Sequence, residues 1–202
     1  NIIIAVVATA GGPNHVAFDP LEQVAQVARE EGVWAHADGA YGAGFKLSHK
    51  PEVQQIVRGL ELFDSVTYDP HKLLYLQYEA GSFLVRDKRN MKYLAKSGSD
   101  YIIRLDDTGI NLGEFSMAGS RGFQSAKVWA WLKEVGVHDL GRILDHTIHV
   151  TQTFAAWLQD QQDWEVMTNT GVNVLTFRFA PRDLKERLEK ARAEKDWKTM
   201  EA

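Results

Sequence analysis

The sequence predicts an α/β fold with a mainly parallel sheet, and three consecutive segments carry this prediction. Residues 2–8 (IIIAVVA) form a continuous, β-branched apolar run, which is typical of a strand covered on both faces. A helical pattern follows, and residues 33–37 are apolar again over the length of a strand. A strand, a loop, a helix and a strand within forty residues make a βαβ unit, whose two strands run parallel.

The first helix has start and stop signals of its own. Asp19 is placed to act as its N-cap, Pro20 occupies the first helical position, and Glu22 lies where a capping box has its acid. Gly32 is expected to end it. The apolar stripe that would face the sheet consists of Leu21, Val24, Ala25, Val27 and Ala28.

The later elements alternate in the same way. We predict helices over residues 52–60, 123–134, 139–159 and 184–195, and strands over residues 64–68, 82–85 and 174–179. In the helix over 123–134, Val128, Trp129 and Leu132 are expected on the inner side. The long helix over 139–159 is expected to join two regions. We therefore place a domain boundary within it, giving domains 1–147 and 148–202.

Composition excludes several classes of protein. The 202 residues contain 23 Lys plus Arg and 27 Asp plus Glu, a net charge of −4, which argues against a chain that coats nucleic acid or an anionic membrane. No apolar run approaches the roughly 18 residues that would cross a bilayer. The absence of Cys excludes disulfides and thiolate sites, and it fits a cytoplasmic protein. Because the chain opens at Asn1 directly in a strand pattern, we expect it to be a piece of a longer protein.

Two segments carry the residues suited to chemistry. They are residues 36–42 (HADGAYG) and 64–72 (DSVTYDPHK). In each of them a predicted strand gives way to a loop. Since ligands of open α/β sheets bind outside the carboxyl ends of the strands, both segments lie where a site is expected.

The strand-end carboxylate Asp38 has three interpretations. His36 and Asp38 are two residues apart on a strand, so both side chains point to the same face. Asp38 could be a solvated carboxylate that caps the next turn, or part of a His-x-Asp metal site with His49 or His71 as further ligands. In the third interpretation it pairs with the protonated ring nitrogen of a cofactor.

Lys72 has two interpretations. A lone Lys is most often a solvated surface charge. The residues that follow Lys72 are apolar, however, and a partly desolvated Lys can act as an imine-forming amine. Pyridoxal phosphate needs such a Lys for its Schiff base and an acid against its pyridine nitrogen. Lys72 and Asp38, at the ends of different strands, fit these two requirements.

These motifs resemble those of a known family. Together with ATAGG at 8–12, FDPLEQVA at 18–25 and GSRGFQSAKVW at 119–129, they are similar to the group II pyridoxal-phosphate-dependent decarboxylases, of the aromatic-L-amino-acid and glutamate decarboxylase kind. The resemblance runs from residue 1 to about residue 179. It implies an aspartate-aminotransferase-like large domain of fold type I without its N-terminal part, followed by part of a small α+β C-terminal domain. It also implies a homodimer whose active site lies at the subunit interface.

The resemblance implies a role for several residues. Lys72 would form the Schiff base, and Asp38 would pair with the pyridine nitrogen. Ala40 would place a small side chain against the ring face, Thr9 would lie near the 3-oxygen, and His36 would support Asp38 and the ring.

The same resemblance implies contacts to the cofactor phosphate. His71 would reach it directly. Asp69 would reach it through its backbone N–H or a bridging water, because its carboxylate repels a phosphate. Ser120 and Arg121 lie where the family has a Ser-Arg pair near the active site, although a helix N-terminus and a surface charge explain them equally well.

The implied activity is decarboxylation of an L-amino acid, with an aromatic amino acid as the expected substrate. Alternatives are an acidic-amino-acid decarboxylase, a related pyridoxal-phosphate carbon–carbon lyase, or a catalytically silent homologue that acts as a dimerisation partner. The silent alternative draws on residues 106–116, which contain no Tyr where the decarboxylases have the Tyr that returns a proton. No metal, nucleic-acid partner or membrane partner is expected.

Overall fold

The computed structural model describes residues 2–93 and 122–194, and its main feature is a four-stranded sheet. The strands follow one another across the sheet in chain order: β1 (Ala5–Thr9), β2 (Trp34–Asp38), β3 (Ser65–Tyr68) and β4 (Ser82–Val85). β1 pairs with β2 and β2 with β3 in parallel, whereas β4 runs antiparallel to β3. The predicted α/β class with a mainly parallel sheet is confirmed.

The first strand departs from its prediction. It begins only at Ala5, and three apolar side chains that precede it are exposed, namely those of Ile2, Ile3 and Ile4. Within the strand Val7 is 62 % exposed, whereas Ala8 is fully buried. The prediction of a strand covered on both faces was therefore wrong for the described residues, because only the face of β1 that carries Ala8 is packed.

Helix α1 (Leu21–Glu30) covers that packed face. Its buried Leu21, Ala25 and Ala28 share a core with alanines of β1 and β2. The predicted N-cap was wrong: Pro20 holds that position without a side-chain cap. The Asp19 carboxylate instead accepts a hydrogen bond from the Thr9 N–H at 2.7 Å, which ties the start of the helix to the end of β1.

The described residues also form four further α-helices, α2 (Pro51–Ile56), α3 (Gln124–Glu134), α4 (Val137–Gln159) and α5 (Arg182–Glu194), and three short 3-10 helices (Gly42–Leu47, Leu60–Leu62 and Lys88–Tyr93). The helix predicted over 52–60 stops at Ile56, before Gly59, whose φ of 89° is left-handed. On α3 the predicted inner residues Val128 and Leu132 are half-buried and none is fully buried, whereas the prediction was wrong for Trp129, which is 64 % exposed. No helix within the described ranges is long and apolar enough to span a membrane.

A second, two-stranded sheet pairs β5 (Trp164–Asn169) with β6 (Leu175–Phe179) in antiparallel fashion. β6 matches the strand predicted over 174–179, whereas β5 was not predicted. Helix α4 joins the two regions, since its Leu144 and Ile148 share a second core with Phe45 and Val172. The boundary at 147/148 falls inside this helix and stays a prediction.

Candidate active site

Three polar residues lie side by side at the carboxyl ends of the parallel strands. In the strand register, Thr9 of β1 is the partner of Asp38 of β2, and Asp38 is the partner of Thr67 of β3. Residues in register on neighbouring strands project to the same face of a sheet. The βαβ order therefore brings Thr9 and Thr67, which are 58 positions apart in the sequence, to one edge of the sheet together with Asp38.

Gly42 allows a close approach just after β2. It donates its N–H to the Ala10 carbonyl at 3.0 Å, and a Cβ at this position would lie 2.2 Å from the same oxygen. Only glycine lets the loop after β2 pass so near the end of β1. This contact brings Tyr41 beside the strand ends.

A cavity of about 350 Å³ opens at this edge. Four of the predicted site residues line it, namely Thr9, Asp38, Ala40 and Lys72. The other walls come from the loop after β1, from Tyr41 and from Val174 at the start of β6. The volume lies within the range of roughly 300–1,000 Å³ that is usual for small-molecule sites.

Asp38 presents an exposed carboxylate to this cavity. Its Oδ1 accepts a hydrogen bond from the Ala40 N–H at 3.3 Å, so the carboxylate does cap the turn that follows β2. This bond is long and uses one of about four lone-pair positions. The capping role therefore leaves the carboxylate able to accept a further hydrogen bond from a group in the cavity.

His36 lies on the same strand but does not line the cavity. Its Nδ1 is 2.8 Å from the Ser65 hydroxyl, and its Nε2 is 3.2 Å from the Thr67 hydroxyl. The Ser65 oxygen also accepts the indole N–H of Trp34 at 2.9 Å. Both ring nitrogens are thus engaged, and within the described ranges no three His, Asp or Glu side chains are grouped to hold a metal ion.

Lys72 is held at the cavity wall by an ion pair. Its Nζ lies 3.0 Å from Asp69 Oδ2, and the two side chains are 35 % and 18 % exposed. The amine is thus an ion-paired, partly exposed group at the cavity wall rather than a free surface charge. The backbone N–H of Asp69, predicted as one route to a phosphate, donates to the Ala40 carbonyl at 3.2 Å.

His71 lies behind this ion pair and does not line the cavity. Its Nδ1 donates to the Ala80 carbonyl at 2.7 Å, because a carbonyl can only accept. Its Nε2 is 3.9 Å from the Asp69 carboxylate, and its ring is stacked on Tyr78 with a centroid separation of 4.1 Å. The structure thus brings His71 near Lys72 through Asp69, while its predicted phosphate contact stays a prediction.

Six cavity residues had no predicted role, and Tyr41 and Val174 among them lie outside the loop after β1. Tyr41 belongs to the HADGAYG motif, directly after Ala40, so its place in the sequence was a usable signal. Val174 follows the strand ends by more than a hundred residues and has no local signal. Tyr41 donates its hydroxyl to Asn173 Oδ1 at 2.9 Å, and burial raises the pKa of the Tyr41 phenol. The predicted Ser120, Arg121 and the loop 106–116 lie outside the described residues.

Comparison with known proteins identifies the family. The family profile described as "Pyridoxal-dependent decarboxylase conserved domain" matches residues 1–180. The chain belongs to the pyridoxal-dependent decarboxylase family. The predicted resemblance is confirmed, and pyridoxal phosphate is the characteristic cofactor of this decarboxylase family.

Comparison with individual decarboxylases shows what share of a family member's length this chain covers. It is 36 % identical over 182 residues to an aromatic-L-amino-acid decarboxylase of Bacillus atrophaeus, covering 89 % of this chain and 38 % of that protein. It is 31 % identical over 189 residues to the cysteine sulfinic acid decarboxylase of Mus musculus, covering 91 % of this chain and 38 % of that protein.

Solved structures agree with this assignment. The crystal structure of mouse CSAD in apo form matches with a TM-score of 0.80 at 28 % identity, over 92 % of this chain and 38 % of that one. The glutamate decarboxylase domain of a Vibrio parahaemolyticus protein matches with a TM-score of 0.73 at 29 % identity, over 95 % of this chain and 36 % of that chain. The chain thus spans less than two-fifths of these relatives.

Proposed function

We propose that this chain carries the cofactor site of an enzyme that decarboxylates L-amino acids, with Lys72 as the amine that binds pyridoxal phosphate covalently and Asp38 as the partner of its pyridine nitrogen. The observation that supports this most directly is that Lys72 and Asp38, from different segments, line one cavity of about 350 Å³.

The residues of the cavity fit this cofactor. A planar pyridine ring needs a carboxylate at one end, an amine near its aldehyde and little bulk against its face. Asp38 has a carboxylate with spare acceptor capacity, Lys72 has an ion-paired amine at the cavity wall, and Ala40, which also lines the cavity, has only a methyl group. When bound, pyridoxal phosphate supplies an electron sink for the pair of electrons left on the substrate carbon as carbon dioxide departs.

The chain's own contribution is to hold charge and protons at defined atoms. The Asp38 carboxylate would keep a proton on the ring nitrogen opposite it, since an ionised acceptor favours the protonated partner. His36 would support Asp38 from the same face of β2, fixed there by the hydroxyls of Ser65 and Thr67. Thr9, in register with Asp38, would lie near the 3-oxygen.

Lys72 would exchange partners during the reaction. In this structure its amine contacts the Asp69 carboxylate, which holds it at the cavity wall. Asp69 would keep the amine in reach when it is not bound to the cofactor. Contacts of His71 and Asp69 to the phosphate remain part of the proposal, although His71 is bonded through Nδ1 to the Ala80 carbonyl and does not line the cavity in this structure.

For the substrate we propose an aromatic L-amino acid. Among the lining side chains, Pro13, Val16, Tyr41 and Val174 are apolar or aromatic, which suits an aromatic side chain better than a second carboxylate. The relatives act on varied substrates by name, including aspartate and 2,4-diaminobutyrate. An acidic-amino-acid decarboxylase or a related carbon–carbon lyase is the alternative, and carbon dioxide release from a panel of amino acids distinguishes them.

Assembly and location complete the proposal. We propose a cytoplasmic homodimer with its active site at the subunit interface, and two domains that meet at residues 147/148. A catalytically silent homologue that serves as a dimerisation partner is the alternative from another class.

The decisive experiment is reductive trapping. The full-length protein is incubated with pyridoxal phosphate and reduced with borohydride, and the modified peptide is identified by mass spectrometry. We expect the label on Lys72, its loss in Lys72→Ala, and its retention in Lys46→Ala, which removes an ion-paired amine of similar exposure outside the cavity. A label on another lysine would refute the assignment of Lys72, and a colourless, unlabelled wild-type protein would favour the silent alternative.

A second variant tests Asp38 separately from Lys72. Asp38→Asn should still be labelled on Lys72, because the amine is intact. Its carbon dioxide release should fall at least about a hundredfold, because a neutral amide no longer favours the protonated ring. Wild-type turnover in Asp38→Asn would refute the role of the carboxylate.

A further inference from the structure

Tyr41 in the cavity wall is held by a hydrogen bond to a residue outside the cavity. The ring of Tyr41 lines the cavity and packs edge-on against the buried Phe45, with a centroid separation of 5.7 Å. Its hydroxyl donates to Asn173 Oδ1 at 2.9 Å. The next residue, Val174, lines the cavity itself. Tyr41 and Asn173 are 132 positions apart, so this hydrogen bond joins two distant parts of the chain at the site.

The direction of each hydrogen bond in this group follows from chemistry. The Thr147 hydroxyl donates its single proton to the Leu144 carbonyl at 2.8 Å, so towards Asn173 it can only accept. The Asn173 Nδ2 therefore donates to Thr147 Oγ1, at 3.1 Å. This fixes the amide so that its oxygen faces Tyr41 and accepts the phenol proton.

The turn that carries Asn173 is fixed to helix α4 by further contacts. Gln152 of α4 donates to the Val172 carbonyl at 2.9 Å and exchanges two amide hydrogen bonds with Asn169, at 3.1 and 2.8 Å. The Val172 side chain is fully buried in the core that α4 shares with Phe45 and with Val53 of α2. Asn173 is thus a rigid anchor, because its turn is bonded on both sides to a 23-residue helix.

We infer that Asn173 is a positioning residue that, through the Tyr41 hydroxyl, sets the shape of the wall facing Asp38 and Lys72 and so the affinity of the cavity for its aromatic ligands. The inference rests on the proposed function, since the ligands are pyridoxal phosphate and the substrate. Neither Asn173 nor the phenol oxygen is assigned any step at the reacting atoms. Burial raises the pKa of the phenol, so the hydroxyl stays a donor to Asn173 at neutral pH.

The consequence is a change in binding rather than in chemical rate. A single neutral hydrogen bond contributes about 1 kcal/mol, which is about a fivefold change in an equilibrium constant. Tyr41→Phe keeps the ring and removes only the hydroxyl. We expect it to raise the dissociation constant for pyridoxal phosphate and the KM for the amino acid about fivefold, with kcat within about twofold of wild type.

A double-mutant cycle tests whether the two residues act through one bond. Asn173→Ala should weaken cofactor binding about as much as Tyr41→Phe, and the double variant should be about fivefold rather than about twenty-five-fold weaker than wild type. Rescue is tested at Thr147. The isosteric Thr147→Val loses the acceptor for Asn173 and should weaken binding, whereas Thr147→Ser keeps it and should restore binding.

The control separates positioning from stability. Thr168→Val breaks the cross-strand hydroxyl contact to Thr176 in the same small sheet but away from the cavity. It should lower Tm without changing the cofactor dissociation constant. Cofactor uptake by the wild-type protein with unchanged affinity in Tyr41→Phe, or with fully additive effects in the cycle, would overturn this inference alone. A wild-type protein that takes up no cofactor would overturn the proposed function and the inference with it.

Discussion

Gly42→Ala should disrupt the frame of the cavity through sterics alone. Gly42 is buried and its φ is not left-handed, so the substitution adds no backbone strain of its own. The added Cβ would lie 2.2 Å from the Ala10 carbonyl oxygen and 2.7 Å from Phe18 Cε1. Because the nearer atom is backbone, β1 and the loop after β2 must separate by close to 1 Å. Overpacking of this kind costs about 1–3 kcal/mol, and the hydrogen bond from Gly42 to Ala10 adds about 1 kcal/mol.

The expected loss is therefore about 3 kcal/mol of unfolding free energy, or about 10 °C in Tm for a chain of this size. Urea unfolding followed by circular dichroism measures it, and cofactor uptake should fall in parallel. Gly12→Ala is the matched control, since it also lies at the cavity but its Cβ would find its nearest neighbour at 3.6 Å, an ordinary contact. Equal unfolding midpoints for the two variants would refute the steric argument.

Two further predictions concern contacts away from the cavity. Asp145 accepts hydrogen bonds from the Ser48 hydroxyl at 2.5 Å and from the His49 N–H at 3.0 Å, and Ser48 is only 5 % exposed. Asp145→Ala should therefore lower the free energy of unfolding by about 2 kcal/mol, because it leaves these donors without an acceptor. Thermal unfolding measures the loss, and an unchanged Tm would contradict the prediction. The hydrogen bond from Lys46 lowers the pKa of Glu61 below 4.5, so its stabilisation is present above that pH and is lost as the pH falls through the folded-state value. Since Glu61 is 60 % exposed, Glu61→Gln should remove at most about 0.5 kcal/mol at pH 7 and less at pH 3, and a larger loss at pH 3 than at pH 7 would reverse the assigned sign.

The βαβ unit was predictable because its signals are local. The apolar run before Thr9, the amphipathic stripe of α1 and the left-handed Gly32 each act over a few residues. Asp19 shows the limit of such signals. An Asp that precedes a helix can either cap the helix or accept a hydrogen bond from a neighbouring strand. Only the position of β1 determines which of these two contacts Asp19 makes.

The elements that were missed depend on tertiary contacts. β5 contains Glu165 and Asn169 and has no clear alternation, and it forms a strand because β6 and α4 lie against it. For the same reason, the exposure of Trp129 could not be predicted from the residues of α3 alone. An apolar stripe states which side can be buried, and the neighbouring elements decide whether it is.

The site residues also include some that local sequence signals predict and some that depend on tertiary contacts. Asp38, Ala40 and Lys72 could be placed together because residues that follow parallel strands meet at one edge of the sheet. Val174 and the contact of Asn173 with Tyr41 could not be predicted, since a turn bonded to α4 brings them there and Asn173 is 132 residues from Tyr41 in the sequence. No sequence pattern around Tyr41 or around Asn173 indicates that the two segments contact each other.

The two carboxylates near the amine differ in the acceptor capacity that remains to them. Asp69 is mostly buried, and its Oδ2 is held by Lys72 at 3.0 Å. Asp38 is exposed, and among the described residues it accepts one long backbone hydrogen bond. An ionised carboxylate that already has a cationic partner adds little to a newcomer, whereas one that faces a cavity with vacant lone pairs attracts a protonated ring strongly. This difference in partners, rather than residue type, is why we propose Asp38 as the acid for the ring and Asp69 as the companion of Lys72.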